Sequence, residues 1–160
     1  MARSPYIVLV ACHRKRDDGV FVYAIFKRRD AGYWQVISGG GEDGENPGEA
    51  AKREALEEAA IPVSRKLFKL DTFTHVPKTA FPEGQKLWPQ GLYVVPAYYF
   101  AVDAQSVDIQ LSYEHTEFKW MTYEEAAKIL KWQCDVTALW ELEQRLQNND
   151  LKEVKGSPAV

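Results

Sequence analysis

Three glutamates at helical spacing, directly behind a glycine run, are the residues of this chain best placed to do chemistry. The segment Gly39–Ile61 reads GGGEDGENPGEAAKREALEEAAI. After Gly39 come five residues, Glu45, seven more residues, and then Arg53-Glu54-Ala55-Leu56-Glu57-Glu58. On a helix, spacings of three and four bring Glu54, Glu57 and Glu58 together, where like charges repel unless a cation sits on them. A hard divalent ion with oxygen ligands resolves the repulsion, and phosphate is the usual partner of such an ion. Acidic patches on surface helices are common, so the three glutamates alone say little. The glycine run, Glu45 and Arg53 at fixed offsets turn the reading toward a metal–phosphate site.

This skeleton resembles the Nudix box, the signature of hydrolases that cleave a diphosphate linked to another moiety. The resemblance implies that Glu54, Glu57 and Glu58 take metal-binding and catalytic positions. It implies Mg²⁺ as the cofactor, with Mn²⁺ as a substitute. Glu45 and Arg53 look like the family's structural pair, orienting the loop against the helix. Gly39 and Gly40 let the backbone come close to the substrate, and a carbonyl near Ser38 or Gly39 is available to the metal. The box departs from the family at Ala60, where glycine is usual before the final apolar residue. Glycine suits a left-handed helix exit, and alanine costs about 1–2 kcal/mol in that conformation. The departure leaves the helix exit open and does not touch the acidic face.

A second acidic site stands far along the chain, at Glu114-His115 before Phe118-Lys119-Trp120. In several Nudix hydrolases a late-loop glutamate joins the metals or acts as general base, which adds Glu114 to the catalytic and metal set. This stretch, with Lys27-Arg28-Arg29-Asp30 and Trp34-Gln35, resembles the bacterial dihydroneopterin triphosphate pyrophosphatase group. A carboxylate bound to a cation is a poor base, so the base is whichever glutamate lies outside the metal shell. Arg28 and Arg29 are candidates for substrate phosphates. They point to opposite faces if the strand continues. Trp34, with Tyr33, is a candidate to stack on a flat base or pterin. Trp88 is a candidate lid.

The elements that must carry these groups are legible in outline. Tyr6–His13 and Val20–Lys27 read as a hairpin around Asp18-Gly19. Trp34–Ile37 reads as a short strand feeding the glycine turn. Asn46, Pro47 and Glu49 supply a helix start with a capping box. Ala51, Ala55 and Ala59 make a small-residue stripe for packing on a sheet, with the three glutamates pointing away. Leu67–His75 and Leu92–Val102 read as strands, the second with an edge position or bulge at Pro96. The segment 76–91 between them reads as a long irregular loop. Phe118–Met121 is a further strand, Thr122 opens a helix to about Leu130, and Asp135–Gln147 is the last helix. The tail after Asn148 reads as frayed. Strands mixed with three helices suggest α+β or a sandwich, and the resemblance implies the Nudix α/β/α sandwich with a mixed β-sheet.

Bulk properties bound the partners. A chain of 160 residues, 46% hydrophobic, fits one domain over 1–160 with its own core. A net charge of −3 argues against a general nucleic-acid surface. Cys12 and Cys134 make no zinc pattern, and a cytoplasmic location is the default. The apolar run Tyr6–Cys12 reads as a buried strand rather than a signal peptide. No apolar stretch is long enough for a membrane span.

The expected activity is therefore a Mg²⁺-dependent pyrophosphohydrolase. It takes a nucleoside triphosphate or dihydroneopterin triphosphate to a monophosphate and pyrophosphate. Other substrates stay open: a dinucleoside polyphosphate, ADP-ribose, a nucleotide sugar or an RNA 5′ end. So does a non-catalytic nucleotide-binding sensor, against which the intact glutamate set speaks. Whether the chain is a monomer or a homodimer is not legible.

Overall fold

The computed structural model describes residues 4–155, the side chains at 84 and 85 excepted. Seven strands form a single mixed sheet. β1 (Ile7–Lys15) and β2 (Phe21–Arg28) are the expected hairpin, closed by the Gly19 amide donating to the Arg16 carbonyl at 2.9 Å. β3 (Trp34–Gln35) and β4 (Ile37–Gly40) precede helix α1 (Pro47–Ala59). β5 (Leu67–Pro77) leads through a 3₁₀ turn, Lys78–Ala80, and a one-turn helix α2 (Pro82–Gln85) to β6 (Val94–Asp103). β7 (His115–Met121), α3 (Tyr123–Ile129) and α4 (Gln133–Gln147) complete the order. β1 runs parallel to β6, and the other pairings are antiparallel.

The α/β/α sandwich follows from strand alternation. Val8, Val10 and Cys12 face one side and pack with Ala50, Ala51, Ala55 and Ala59 of α1. Ile7, Leu9 and Ala11 face the other and pack with Ala126 of α3 and Ala138, Leu139 and Leu142 of α4. No helix among the described residues is long and apolar enough to cross a membrane.

One departure from the expected elements positions the site. The strand expected at Trp34–Ile37 is two short strands joined at Val36. β1 and β2 pair from Cys12 and Ala24 outward, and then part. β3 follows β2, opposite Phe26 and Lys27, while β4 follows β1, opposite Ile7–Val10. The chain thus changes partner at Val36. Asp135 of α4 accepts a bond from the Val36 amide at 3.4 Å and another from the Tyr99 hydroxyl at 2.6 Å. Gly39 and Gly40, expected in a turn, are the end of β4, and the turn falls after them.

Other expectations are corrected. The segment 76–91 is partly ordered: β5 runs on through Pro77, and Trp88 is buried with Val95 against Val76, Phe81 and Leu92. Trp88 therefore covers the sheet and is no lid. Pro96 marks no bulge but does stand at a locally open edge: β6 lies between β1 and β5, yet Pro96 itself pairs only with His75. Pairing with β1 begins only at Ala97, so the missing N–H of Pro96 costs no bond on that side. The β5–β6 irregularity lies between Lys69 and Phe73. The tail is not frayed at its start. The Val154 amide donates to the Leu67 carbonyl at 2.8 Å and the Lys69 amide to Lys152 at 2.9 Å, covering part of the β5 edge.

Candidate functional site

Helix α1 is started and stopped by specific local chemistry. Asn46 Oδ1 accepts from the Glu49 amide at 2.9 Å, and Glu49 Oε2 accepts from the Asn46 amide at 3.1 Å, the expected capping box. At the exit Ala60 adopts the left-handed conformation, φ 56° and ψ 32°. Its amide donates to Leu56 and that of Ile61 to Ala55, at 2.9 and 3.2 Å. The left-handed exit is thus kept without glycine, and alanine carries its strain.

The glutamates do not all point away from the sheet. Glu54 is 6% and Glu58 3% exposed, while Glu57 is exposed. The alanine stripe is too narrow to cover β4, so the turns holding Ala50-Ala51, Glu54-Ala55 and Glu58-Ala59 all reach the protein interior. Glycine in β4 makes the room. A Cβ on Gly39 would overlap the Glu54 carboxyl, and one on Gly41 would overlap the Tyr6 ring. Tyr6 in turn donates its hydroxyl to the Glu45 carbonyl at 2.6 Å.

Arg53 ties loop, strand and helix together. Its Nε and Nη2 donate to the two Glu45 carboxylate oxygens at 2.8 and 2.9 Å. Nη2 also donates to the Gly40 carbonyl at 2.8 Å. Nη1 donates to Glu54 at 2.8 Å and to Glu57 at 3.2 Å. The guanidinium bond holds the Glu45 carboxyl below the usual carboxylate range. Glu54 is pushed up by burial against the pull of Arg53.

The tertiary fold adds Glu114. It lies in the loop before β7, and its carboxyl adjoins that of Glu58. Burial first, and the neighbouring Glu114 second, push the Glu58 carboxyl up to about 10, against the backbone of Ser38. Glu58 Oε2 is buried with no hydrogen-bond partner. Next to it, His115 is buried against the Phe26 ring at 5.2 Å, and burial lowers its pKa.

This oxygen set suits a hard divalent cation. An orphaned carboxyl oxygen on Glu58, the Glu54 carboxyl on the same helix and the room left at Gly39 are what such an ion needs. As they stand, no three His, Cys, Asp or Glu side chains among the described residues gather closely enough to hold one. Arg53 holds two of the four glutamates, so a cation and the guanidinium compete for Glu54 and Glu57.

The candidate substrate residues are placed as follows. Arg28 is paired with Asp30 at 2.7 and 2.8 Å. Arg29 donates through Nε to the Tyr113 carbonyl at 2.7 Å. Both line an open pocket of about 390 Å³ with Asp30, Tyr113 and Glu114. Trp34 is half-buried against the α3–α4 face, with Lys119 Nζ 5.4 Å from its ring centre. The sequence reading passed over Tyr6, Tyr113 and Asp135. Only adjacency to Glu114 marks Tyr113 in the sequence, and Asp135 reads as an ordinary acidic residue in the first turn of a helix.

Comparison with known proteins agrees with this architecture. Residues 4–139 match the NUDIX domain family. A solved chain from Listeria monocytogenes, assigned as a NUDIX hydrolase, is 39% identical, with a TM-score of 0.85 over 94% of this chain and 100% of its own. The E. coli dihydroneopterin triphosphate pyrophosphohydrolase is 24% identical, with a TM-score of 0.70 over 92% of this chain and 99% of its own, a likeness of fold alone. An octanoyltransferase of Myxococcus xanthus is 38% identical over 128 residues, which are 79% of this chain but only 33% of that protein. The chain thus spans about a third of the length of that curated relative. It belongs to the Nudix family.

Proposed function

We propose that the chain hydrolyses a nucleoside triphosphate or dihydroneopterin triphosphate to the monophosphate and pyrophosphate, with Mg²⁺ as cofactor and Mn²⁺ as a substitute. The observation that carries the site assignment is the buried Glu58 of the box helix, its Oε2 without a partner, on the helix whose Glu54 fills the space that Gly39 leaves open. Glu54, Glu57, Glu58 and Glu114 hold the cation and the attacking water. When bound, Mg²⁺ neutralises phosphate charge and makes a water more acidic. Two adjoining carboxyls can divide the remaining work: one gives oxygens to the cation, and the other takes the proton from water. The water oxygen bonds to phosphorus as the anhydride P–O bond breaks, and pyrophosphate leaves with the bond electrons. Glu45 and Arg53 keep β4 and α1 in register, and Gly39 and Gly40 let the phosphates approach the backbone. Arg28 and Arg29 line the pocket beside Glu114 and are the groups offered to the substrate, whereas Trp34 packs against the α3–α4 face, away from the glutamates.

The test is a panel with Mg²⁺: dihydroneopterin triphosphate, each deoxynucleoside triphosphate, dinucleoside polyphosphates and ADP-ribose. A product assay separates pyrophosphate from phosphate. Monophosphate plus pyrophosphate from a triphosphate is expected. Cleavage of ADP-ribose or dinucleoside polyphosphates alone, or release of single phosphates, overturns the substrate reading.

A further inference from the structure

We infer that Tyr113 is the platform on which the flat heterocycle of the substrate stacks, held from behind by Arg29. The inference rests on the pyrophosphohydrolase reading of the Glu58–Glu114 site and adds the group that selects its substrate.

Tyr113 directly precedes Glu114 and is 80% exposed. An exposed tyrosine is ordinarily a solvated side chain that swings freely, but this one is held. The Arg29 guanidinium carbon lies 4.1 Å from the ring centre, covering one face. The same guanidinium donates from Nε to the Tyr113 carbonyl at 2.7 Å, and the Arg29 amide donates to the Glu114 carbonyl at 2.8 Å. Ring and backbone are therefore fixed together against the end of β2. The ring is presented to solvent with little rotamer freedom left to lose on binding.

Charge decides what this surface takes. In the pocket of about 390 Å³, Arg28 is matched by Asp30. Arg29 is spent on the Tyr113 ring and carbonyl, and Glu114 brings a negative charge. Without the cation, two arginines thus face two carboxylates. Such a pocket has little pull on a phosphate and suits an uncharged flat ring. A purine, pyrimidine or pterin on the open face of Tyr113 directs its polyphosphate toward Glu114 and Glu58. Stacking of this kind tolerates different rings, because every base has a π-face.

The experiment measures steady-state kinetics of wild type, Tyr113→Ala and Tyr113→Phe on dATP, dihydroneopterin triphosphate and inorganic tripolyphosphate, which has no ring. Tyr113→Ala is expected to raise KM for whichever ring-bearing triphosphate is cleaved by about tenfold or more, as loss of one stacking contact predicts. It leaves kcat within about twofold. Tyr113→Phe keeps the wild-type KM, and tripolyphosphate cleavage is the same in all three proteins. An unchanged KM in Tyr113→Ala overturns the inference. So does an equal loss on tripolyphosphate, which would mean that Tyr113 acts only through Glu114. If wild type cleaves no triphosphate, the reaction reading has failed, and the platform is judged by calorimetric binding of deoxyadenosine and neopterin. Binding that Tyr113→Ala abolishes then supports the platform, and binding that is absent or unaffected overturns it.

Discussion

The carboxyl of Glu114 rests against that of Glu58, two acids that no sequence window brings together. Glu58 is buried and Glu114 exposed, and an acid placed beside a buried acid makes ionising Glu58 costlier, an arrangement retained where chemistry needs it. Glu114→Gln is expected to lower kcat by about 100-fold or more. Because Glu114 is exposed, the stability of the cation-free protein should change little. Activity assays and urea unfolding in EDTA check the two together. A variant less stable than wild type would show that the contact is structural support instead.

Gly39 faces Glu54 so closely that a Cβ has no room. Gly39→Ala is expected to displace the Glu54 carboxyl and break its bond to Arg53. Overpacking of this kind costs about 1–3 kcal/mol. Activity should fall much further than stability at a temperature where the variant is still folded. Full activity in a folded Gly39→Ala protein would falsify the close approach.

Ala60 carries left-handed strain at the helix exit. Ala60→Gly relieves about 1–2 kcal/mol of it and adds back about 0.5–1 kcal/mol of unfolded-chain entropy. The expected result is a modest gain in stability, with kcat and KM unchanged, because Ala60 touches none of the acidic groups. Thermal unfolding and one kinetic assay decide the matter. Altered kinetics would mean that the exit geometry reaches the site.

Asp135 is fully buried, and burial raises its pKa to about 6 in spite of the bonds from Tyr99 and Val36. The folded state therefore holds this proton more tightly than the unfolded chain does. The contribution of this group to stability is greatest below pH 4 and is lost as pH rises from about 4 to about 6. Its size is on the order of 2–3 kcal/mol. Asp135→Asn removes that dependence. Unfolding free energies for both proteins between pH 4.5 and 7 should show wild type losing ground to the variant as pH rises. Parallel curves would refute a proton on Asp135.

The sequence by itself determined the α1 box and most of its supports. The capping pair Asn46–Glu49 and the helical spacing of Glu54, Glu57 and Glu58 are local, and local spacing reads directly from the chain, while the Glu45–Arg53 pairing was implied by the family resemblance. The hairpin at Asp18-Gly19 was legible for the same reason, since turn chemistry and hydrophobic alternation act over a few residues, whereas the mixed sheet was implied only by the family resemblance. What only the tertiary structure decided depends on strand order. The parting of β1 and β2 admits β3 and β4, and so turns Glu54 and Glu58 inward toward the glycine end of β4. β7, running beside β2, delivers Glu114 to Glu58 and Tyr113 to Arg29. α4, crossing the opposite face, sets Asp135 under Val36. The C-terminal segment at Lys152–Val154 finds the open edge of β5. Each of these contacts joins residues far apart in the chain, and no local periodicity encodes which strand will lie next to which.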